Sequence, residues 1–221
     1  MADAAELRTL LEGFRTTSTA SVADAVDRVV QRPGFMSHEI KPILPGRVAG
    51  PAVTVLERAA LEAQPPRHAL QAIDEAPAGS IIVIGLEDPG SARNVAQWGG
   101  LMAAAAATRG LVGAVLDGGV RDVEEIRQMG FPVFSRTVVP STSVGRLVTV
   151  AMGVPVPCGG VLVNPGDIIV GDSDGVVVVP RAVAAEVLAA ATQIEETERR
   201  MTARIRESGS ILQALQDFGR I

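Results

Sequence analysis

The chain has 221 residues and a formal net charge of −5, from 20 basic and 25 acidic side chains; at about 150 residues per domain this allows one large domain or two small ones. A composition of 47% hydrophobic and 20% charged residues excludes a disordered chain, and a single cysteine excludes an internal disulfide. The acidic balance, without a basic stripe, lacks the electrostatics on which nucleic-acid binding rests, so no nucleic-acid partner is expected.

The first thirty residues read as helix. Leu7, Leu10, Leu11 and Phe14 form one apolar stripe; Val22, Ala25, Val26, Val29 and Val30 form another, behind a Ser/Thr cluster suited to capping. Residues 34–45, punctuated by Pro33, Pro42 and Pro45, read as loop, and residues 46–57 as a strand. Then come a short buried strand at 80–85, an alanine-rich helix at 94–109, a buried strand at 111–116, a helix at 121–129 closed by Gly130, and a strand at 131–135. That alternation implies βαβ units and a parallel sheet. Short strands at 146–150, 160–163, 167–170 and 176–179, separated by Gly, Pro, Asn and Asp, imply antiparallel or mixed sheet with hairpin turns.

A long helix is expected from Arg181 to about Glu207. About 27 residues span about 40 Å, against a domain diameter of about 45 Å, so the helix crosses the domain or projects from it. Its charged second half reads as a solvated face with i,i+4 ion pairs, or as an arm reaching a neighbouring subunit. With no repeat and no clean linker, residues 1–221 are expected to form one domain, with N-terminal helices at about 3–31 and a C-terminal helical arm at about 181–218. The acidic N-terminus and the longest apolar run, 101–107, match neither a signal peptide nor the ~20 residues of a spanning helix. A cytoplasmic protein without membrane association is the expectation.

Scarcity narrows the chemistry. One cysteine and two scattered histidines (Cys158, His38, His68) cannot build a thiolate–imidazole zinc site. A Schiff-base enzyme would depend on the single lysine, Lys41, which precedes Pro42 in a loop. Any metal must be held by carboxylates and water, which points to a hard cation such as magnesium or manganese. Gly171-Asp172-Ser173-Asp174-Gly175 fits the nucleophile-elbow pattern, but strand follows instead of helix, so it reads as a turn. Cys158 reads as a free structural thiol in a loop, and Trp98 as core or pocket wall.

The most informative stretch runs from Gly110 through Asp117-Gly118-Gly119-Val120-Arg121-Asp122. A buried strand ends at Leu116, the two glycines permit a tight turn, and a helix begins at Arg121 or Asp122. Open α/β sheets bind ligands at such strand ends. Arg121 can grip a carboxylate with two parallel hydrogen bonds, and Asp122 is a hard oxygen ligand. Equally, Asp122 can simply be a favourable charge in a first helical turn. A second candidate is Trp98-Gly99-Gly100-Leu101-Met102: if a helix starts after the glycines, the N–H groups of Leu101 and Met102 are free for an anion; otherwise the glycines mark a kink.

Trp98-Gly99-Gly100-Leu101-Met102, the Asp117 to Asp122 block, Asn164-Pro165-Gly166-Asp167 and the 171–180 segment resemble the RraA-like family over about residues 15–210. That family holds the 4-hydroxy-4-methyl-2-oxoglutarate / 4-carboxy-4-hydroxy-2-oxoadipate aldolases and the regulator of ribonuclease E activity. The resemblance implies an α/β fold, a compact α/β/β sandwich with mixed sheets and a long C-terminal helix, assembled as a homotrimer or hexamer with sites between subunits. It implies a class II pyruvate aldolase that uses Mg2+ or Mn2+ to stabilise the pyruvate enolate, cleaves a 4-hydroxy-2-oxo acid, and also decarboxylates oxaloacetate. By position, Asp122 would be the metal ligand. Arg121 would hold the substrate carboxylate and the cleavage oxygen, with Gly99, Gly100, Leu101 and Met102 lining the carboxylate site. Glu198 of a neighbouring subunit, with Glu195 and Glu196 as alternatives, would bind a metal-bound water. Gly100 stands where the aldolases carry an aspartate near that water. This departure keeps open an altered lyase, hydratase or isomerase, or a non-catalytic regulator that binds a ribonuclease or another partner.

Overall fold

The computed structural model describes residues 2–88 and 90–219. Helices α1 (Ala2–Thr16) and α2 (Thr19–Val30) are separated where Ser18 turns extended and its hydroxyl accepts the Ser21 N–H. The chain continues through β1 (Lys41–Pro42), β2 (Val48–Ala59), α3 (Arg67–Glu75) and β3 (Ile81–Leu86). A 3-10 turn (Ser91–Asn94), β4 (Ala96–Trp98), α4 (Gly100–Thr108), β5 (Gly113–Val120), α5 (Val123–Met129) and β6 (Val133–Val138) follow. The last third comprises β7 (Leu147–Met152), β8 (Val156–Cys158), β9 (Val161–Val163), β10 (Ile168–Gly171), β11 (Val176–Val179), α6 (Ala184–Ser208) and α7 (Ile211–Phe218).

The expected switch from parallel to antiparallel pairing is present. The main sheet runs β1-β6-β5-β3-β2-β10-β11, with β4 on β5 and β7 on β2. Strands β2, β3, β5 and β6 are parallel neighbours, whereas β7 and β10 pair antiparallel with β2, and β8–β9 is a separate hairpin. The segment after α2 nearly closes the sheet: Phe35 bridges to Val177 on one edge strand, and Lys41 pairs with Ser135 on the other.

Alternation along the strands sorts the core into layers. Ile82, Ile84, Ala114 and Leu116 face α3, α4 and α5, against Ile73, Ala103, Ala106 and Ile126. Ile81, Val83 and Val115 face the opposite way, onto Val156, Cys158 and Val163 of the β8–β9 hairpin. A third cluster packs Leu11, Phe14, Val22 and Val26 with Val187 and Ala191 of α6 onto Ile168, Val170, Val177 and Val179. The N- and C-terminal helices thus cover the β10–β11 end of the sheet.

Four expectations change. Residues 94–109 are not one helix, because Ala96–Trp98 pairs with β5 and helix begins only at Gly100. Gly118 and Gly119 do not turn the chain; they lie inside β5, which carries a register shift between Leu116 and Gly119. Cys158 is on a strand and buried. Helix α3 occupies a stretch to which the sequence pattern assigns no element: its buried stripe is only Ala69, Ala72 and Ile73, and Pro66 offers no side-chain cap.

The 171–175 motif is the β10–β11 turn, as read. Its Asp172 accepts the Thr19 hydroxyl (2.6 Å), the Thr19 N–H (3.0 Å) and the Asp174 N–H (2.9 Å), which latches α2 to the sheet. Burial pushes this carboxyl up, but the Thr19 and Asp174 hydrogen bonds and the Arg47 charge outweigh burial and hold it below its ordinary 3.8. A depressed carboxylate contributes stability above its unfolded value and loses it as pH falls through its folded one. Asp172→Ala is expected to cost about 1–3 kcal/mol at neutral pH, a cost that shrinks as pH falls below 3.8, as read by urea unfolding at neutral and at acid pH.

Candidate active site

The site is assembled where β4 and β5 end side by side. Ala96 pairs with Gly119 and Trp98 with Val120, and the Arg121 N–H donates to the Trp98 carbonyl at 3.0 Å. Trp98 is buried and stacks on Phe131 with centroids 6.2 Å apart. The two strand ends therefore deliver Gly99–Gly100 and Arg121–Asp122 to one place.

Asp122 adopts a left-handed conformation (φ 58°, ψ 37°), which an aspartate tolerates better than most residues. It makes no side-chain cap to its own helix. Its Oδ2 instead accepts the N–H of Gly100 at 3.0 Å and lies 3.5 Å from Arg121 Nε. Asp122 thus crosses over to cap α4. The N–H groups of Leu101 and Met102, next in that first turn, have no hydrogen-bond partner among the described residues. A helix N-terminus with free N–H groups and an adjacent guanidinium favours a carboxylate. The cavity here is about 200 Å³, walled by Pro66, Leu70, Trp98, Leu101, Met102, Thr142 and Val144 beside Arg121 and Asp122.

The paired glycines make room for charge. A Cβ on Gly99 would stand 2.8 Å from Asp122 Oδ2 and 3.1 Å from Arg121 Nε. A Cβ on Gly100 would stand 2.5 Å from Glu125 Oε2 and 3.6 Å from Asp122 Oδ2. A second carboxylate, Glu125, therefore occupies the space into which a side chain at position 100 would project. Sequence reasoning missed Glu125, although its spacing of three from Asp122 on a starting helix was the available signal.

Gly99, Gly100, Leu101, Met102, Arg121 and Asp122 are brought together as the sequence suggested. Glu198 is not brought to Asp122 within the chain; it lines a separate groove of about 670 Å³ between α2 and α6, with Asp24, Asp27 and Arg28. Of the three C-terminal acids, Glu195 accepts the Ser18 N–H at 2.7 Å and Glu196 pairs with Arg199, whereas Glu198 has no hydrogen-bond or ion-pair partner among the described residues. Among the described residues, the ion pairs on this helix join residues at i,i+3, not at the expected i,i+4: Arg199 with Glu196, and Arg204 with Glu207. Cys158 is a buried thiol whose pKa is pushed well up, by burial first and by the Asp117 charge second, which makes it inert as a nucleophile.

Among the described residues, no three His, Cys, Asp or Glu side chains converge as a metal cage. The two carboxylates beside Gly100 do suit a magnesium-type cation, which takes one or two carboxylates and keeps several waters.

Comparison with known proteins agrees with this architecture. The RraA-like family (Aldolase/RraA) matches residues 19–178. Protein DlpA of Legionella pneumophila is 32% identical over 211 residues, 95% of this chain; the chain spans only 34% of that protein's length. A Halalkalibacterium halodurans protein named "Putative 4-hydroxy-4-methyl-2-oxoglutarate aldolase" is 36% identical over 173 residues, covering 76% of this chain and 75% of its own. The crystal structure of Streptomyces coelicolor RraAS2, titled an unusual member of the RNase ES inhibitor RraA protein family, superposes with a TM-score of 0.74 at 29% identity, covering 86% of this chain and 94% of that one.

The geometry at Asp122 separates charge from backbone strain. Asn keeps tolerance of the left-handed region, whereas Ala loses both that tolerance and the hydrogen bond to Gly100. Thermal unfolding is expected to show Asp122→Ala less stable than Asp122→Asn by about 1–2 kcal/mol, or about 2–8 °C in melting temperature.

Proposed function

The chain belongs to the RraA-like family, and from that premise we propose that it is a divalent-metal-dependent carbon–carbon lyase acting on a small 2-oxo acid. The reaction is retro-aldol cleavage of a 4-hydroxy-2-oxo acid, decarboxylation of oxaloacetate, or both. The observation that carries this reading is the convergence of Arg121, Asp122 and the free N–H groups of Leu101 and Met102 on one small cavity.

In this reading the carboxylate next to the keto group docks on the Leu101 and Met102 N–H groups, where the positive end of α4 compensates its charge. Arg121 lies beside the keto oxygen, where negative charge accumulates as the carbon–carbon bond breaks. In oxaloacetate the bond to the far carboxyl breaks, its electron pair passes into the 2-oxo acid fragment, and carbon dioxide leaves. A proton returned to the methylene carbon completes pyruvate. Asp122, with Glu125 beside it, would hold Mg2+ or Mn2+. When bound, such a cation acts as a Lewis acid that polarises the 2-oxo group. Glu125 supplies the carboxylate that the family pattern places on position 100 and so serves as the proton carrier. The α2–α6 face would seat a neighbouring subunit in a trimer or hexamer, with Glu198 contributed across that contact.

A second reading is a regulator without turnover, which binds a ribonuclease or another protein. Gly100 favours it, since the usual aspartate is missing, and so does the likeness to RraAS2. The two readings differ in a coupled assay of pyruvate release from a panel of 2-oxo acids, with magnesium, with manganese and with a chelator.

The lyase reading expects release only with metal, a fall of about 100-fold or more in kcat/KM for Asp122→Asn and Arg121→Lys, and about 100-fold in kcat for Glu125→Gln. Equal rates for wild type and Asp122→Asn would falsify it. Absence of pyruvate from every acid tested, with co-purification of a ribonuclease, would establish the regulator instead.

A further inference from the structure

A second polar system lies behind the candidate site. Glu57, on β2, is fully buried, and its Oε2 accepts the Gln97 side-chain N–H at 2.9 Å. Gln97, on β4, is also buried, and its Oε1 accepts the Gly118 N–H of β5 at 2.6 Å. The other Glu57 oxygen, Oε1, is buried without a partner. An acid in the core with one oxygen unmatched is costly to retain for packing alone, and a few such groups per structure call for an explanation. Here the chain Glu57–Gln97–Gly118 ties together three strands, two of which end in the site. Gln97 is followed directly by Trp98-Gly99-Gly100, and Gly118 by Gly119-Val120-Arg121-Asp122.

We propose that Glu57 is a positioning residue: acting through Gln97, its carboxyl holds the strand that carries Gly99 and Gly100 in register with the strand that carries Arg121 and Asp122. The Gln97 hydrogen bond by itself favours the ionised carboxyl, but the neutral form avoids a buried charge whose Oε1 has no partner. Burial raises its pKa to about 7, opposed by the Gln97 hydrogen bond, so it is largely protonated below neutrality. Strands β3, β4 and β7, packed against β2 here, carry no titratable side chain. Glu87, Arg93 and Arg146 flank those strands in sequence, and Arg58 follows on β2. His68 of α3 bonds through its ring to Thr149, the residue opposite Glu57 on β7. Above about pH 7 a charge appears in the core with one amide to solvate it, and the unmatched Oε1 then draws in water, which loosens the packing around β4.

This inference concerns the same site as the proposed lyase, but its test does not require turnover. Trp98 is the only tryptophan, there is no tyrosine, and it neighbours Gln97 on β4, so its emission reports the position of that strand. For the intact wild-type protein, Trp98 emission between about pH 5 and 9 is expected to show a transition near pH 7, with a red shift and easier acrylamide quenching on the alkaline side. Glu57→Gln keeps a neutral acceptor for Gln97, so it retains the low-pH emission throughout and abolishes the transition. Glu57→Leu removes the acceptor and gives quenchable emission at every pH.

Because a raised carboxyl pKa weakens folding as pH climbs from 4.5 to about 7, Glu57→Gln also unfolds at a higher temperature than wild type above neutrality and not at pH 5. A transition that survives Glu57→Gln and vanishes in His68→Gln would overturn the assignment, as would wild-type emission in Glu57→Leu. Where a 2-oxo acid is turned over, Glu57→Leu is expected to lower kcat/KM about tenfold and Glu57→Gln to restore it at acidic pH. A Trp98 transition assigned to Glu57 in a protein that releases no pyruvate would leave the clamp standing and remove the lyase reading.

Discussion

Everything at the candidate site depends on one short pairing, the three residues of β4 held beside the end of β5. The hydrogen bond from the Arg121 N–H to the Trp98 carbonyl, and that from Gly119 to Val95, set the two chain segments side by side. Without them, Gly99–Gly100 and Arg121–Asp122 would be ends of unrelated loops. With them, a helix N-terminus, a guanidinium and the Asp122 carboxylate share one small cavity, with Glu125 beside Gly100. The stack of Trp98 on Phe131 from one side and the Glu57–Gln97 bond from the other fix β4 in depth.

The site also shows how opposite charges can be gathered without mutual cancellation. Asp122 is shared between the Gly100 N–H and Arg121, and both side chains remain partly open to solvent. An arginine stays charged throughout, while an aspartate with one oxygen hydrogen-bonded is a ready ligand for a hard cation. The missing side chains of Gly99 and Gly100 are as important as the charges present. A methyl group at either position would stand within 3 Å of a carboxylate oxygen. Elsewhere the fold uses buried ionic contacts structurally: Arg136 bonds Asp117 at 2.7 Å, and Asp117 also accepts the Gly159 N–H at 2.8 Å, joining β5, β6 and the β8–β9 hairpin.

Much of the fold was readable in one dimension because strand and helix periodicity is local. Apolar runs at β3, β5 and β11, and the Ser18 cap ahead of α2, carry their signal within a few residues. The misreadings share one cause, since each was decided by a partner distant in sequence. Ala96–Trp98 is strand only because β5 lies beside it, and Gly118–Gly119 stays extended only because β4 and β6 pair with it. Cys158 is strand through Val161, and its burial comes from the sheet beneath the hairpin.

The sequence by itself determined the chemistry available: one lysine, one cysteine and scattered histidines leave carboxylate and guanidinium groups, and Arg121 and Asp122 are adjacent in the chain. It also marked Gly99–Gly100 as a place where a helix could begin. Tertiary structure alone decided where the acids stand. Asp122 turned away from its own helix to cap another, Glu125 filled the space at Gly100, and Glu57 met Gln97 across forty residues. The reason is physical: residue spacing dictates neighbours within a helical turn or along a strand, but contacts between strands follow from the order in which the sheet is laid down.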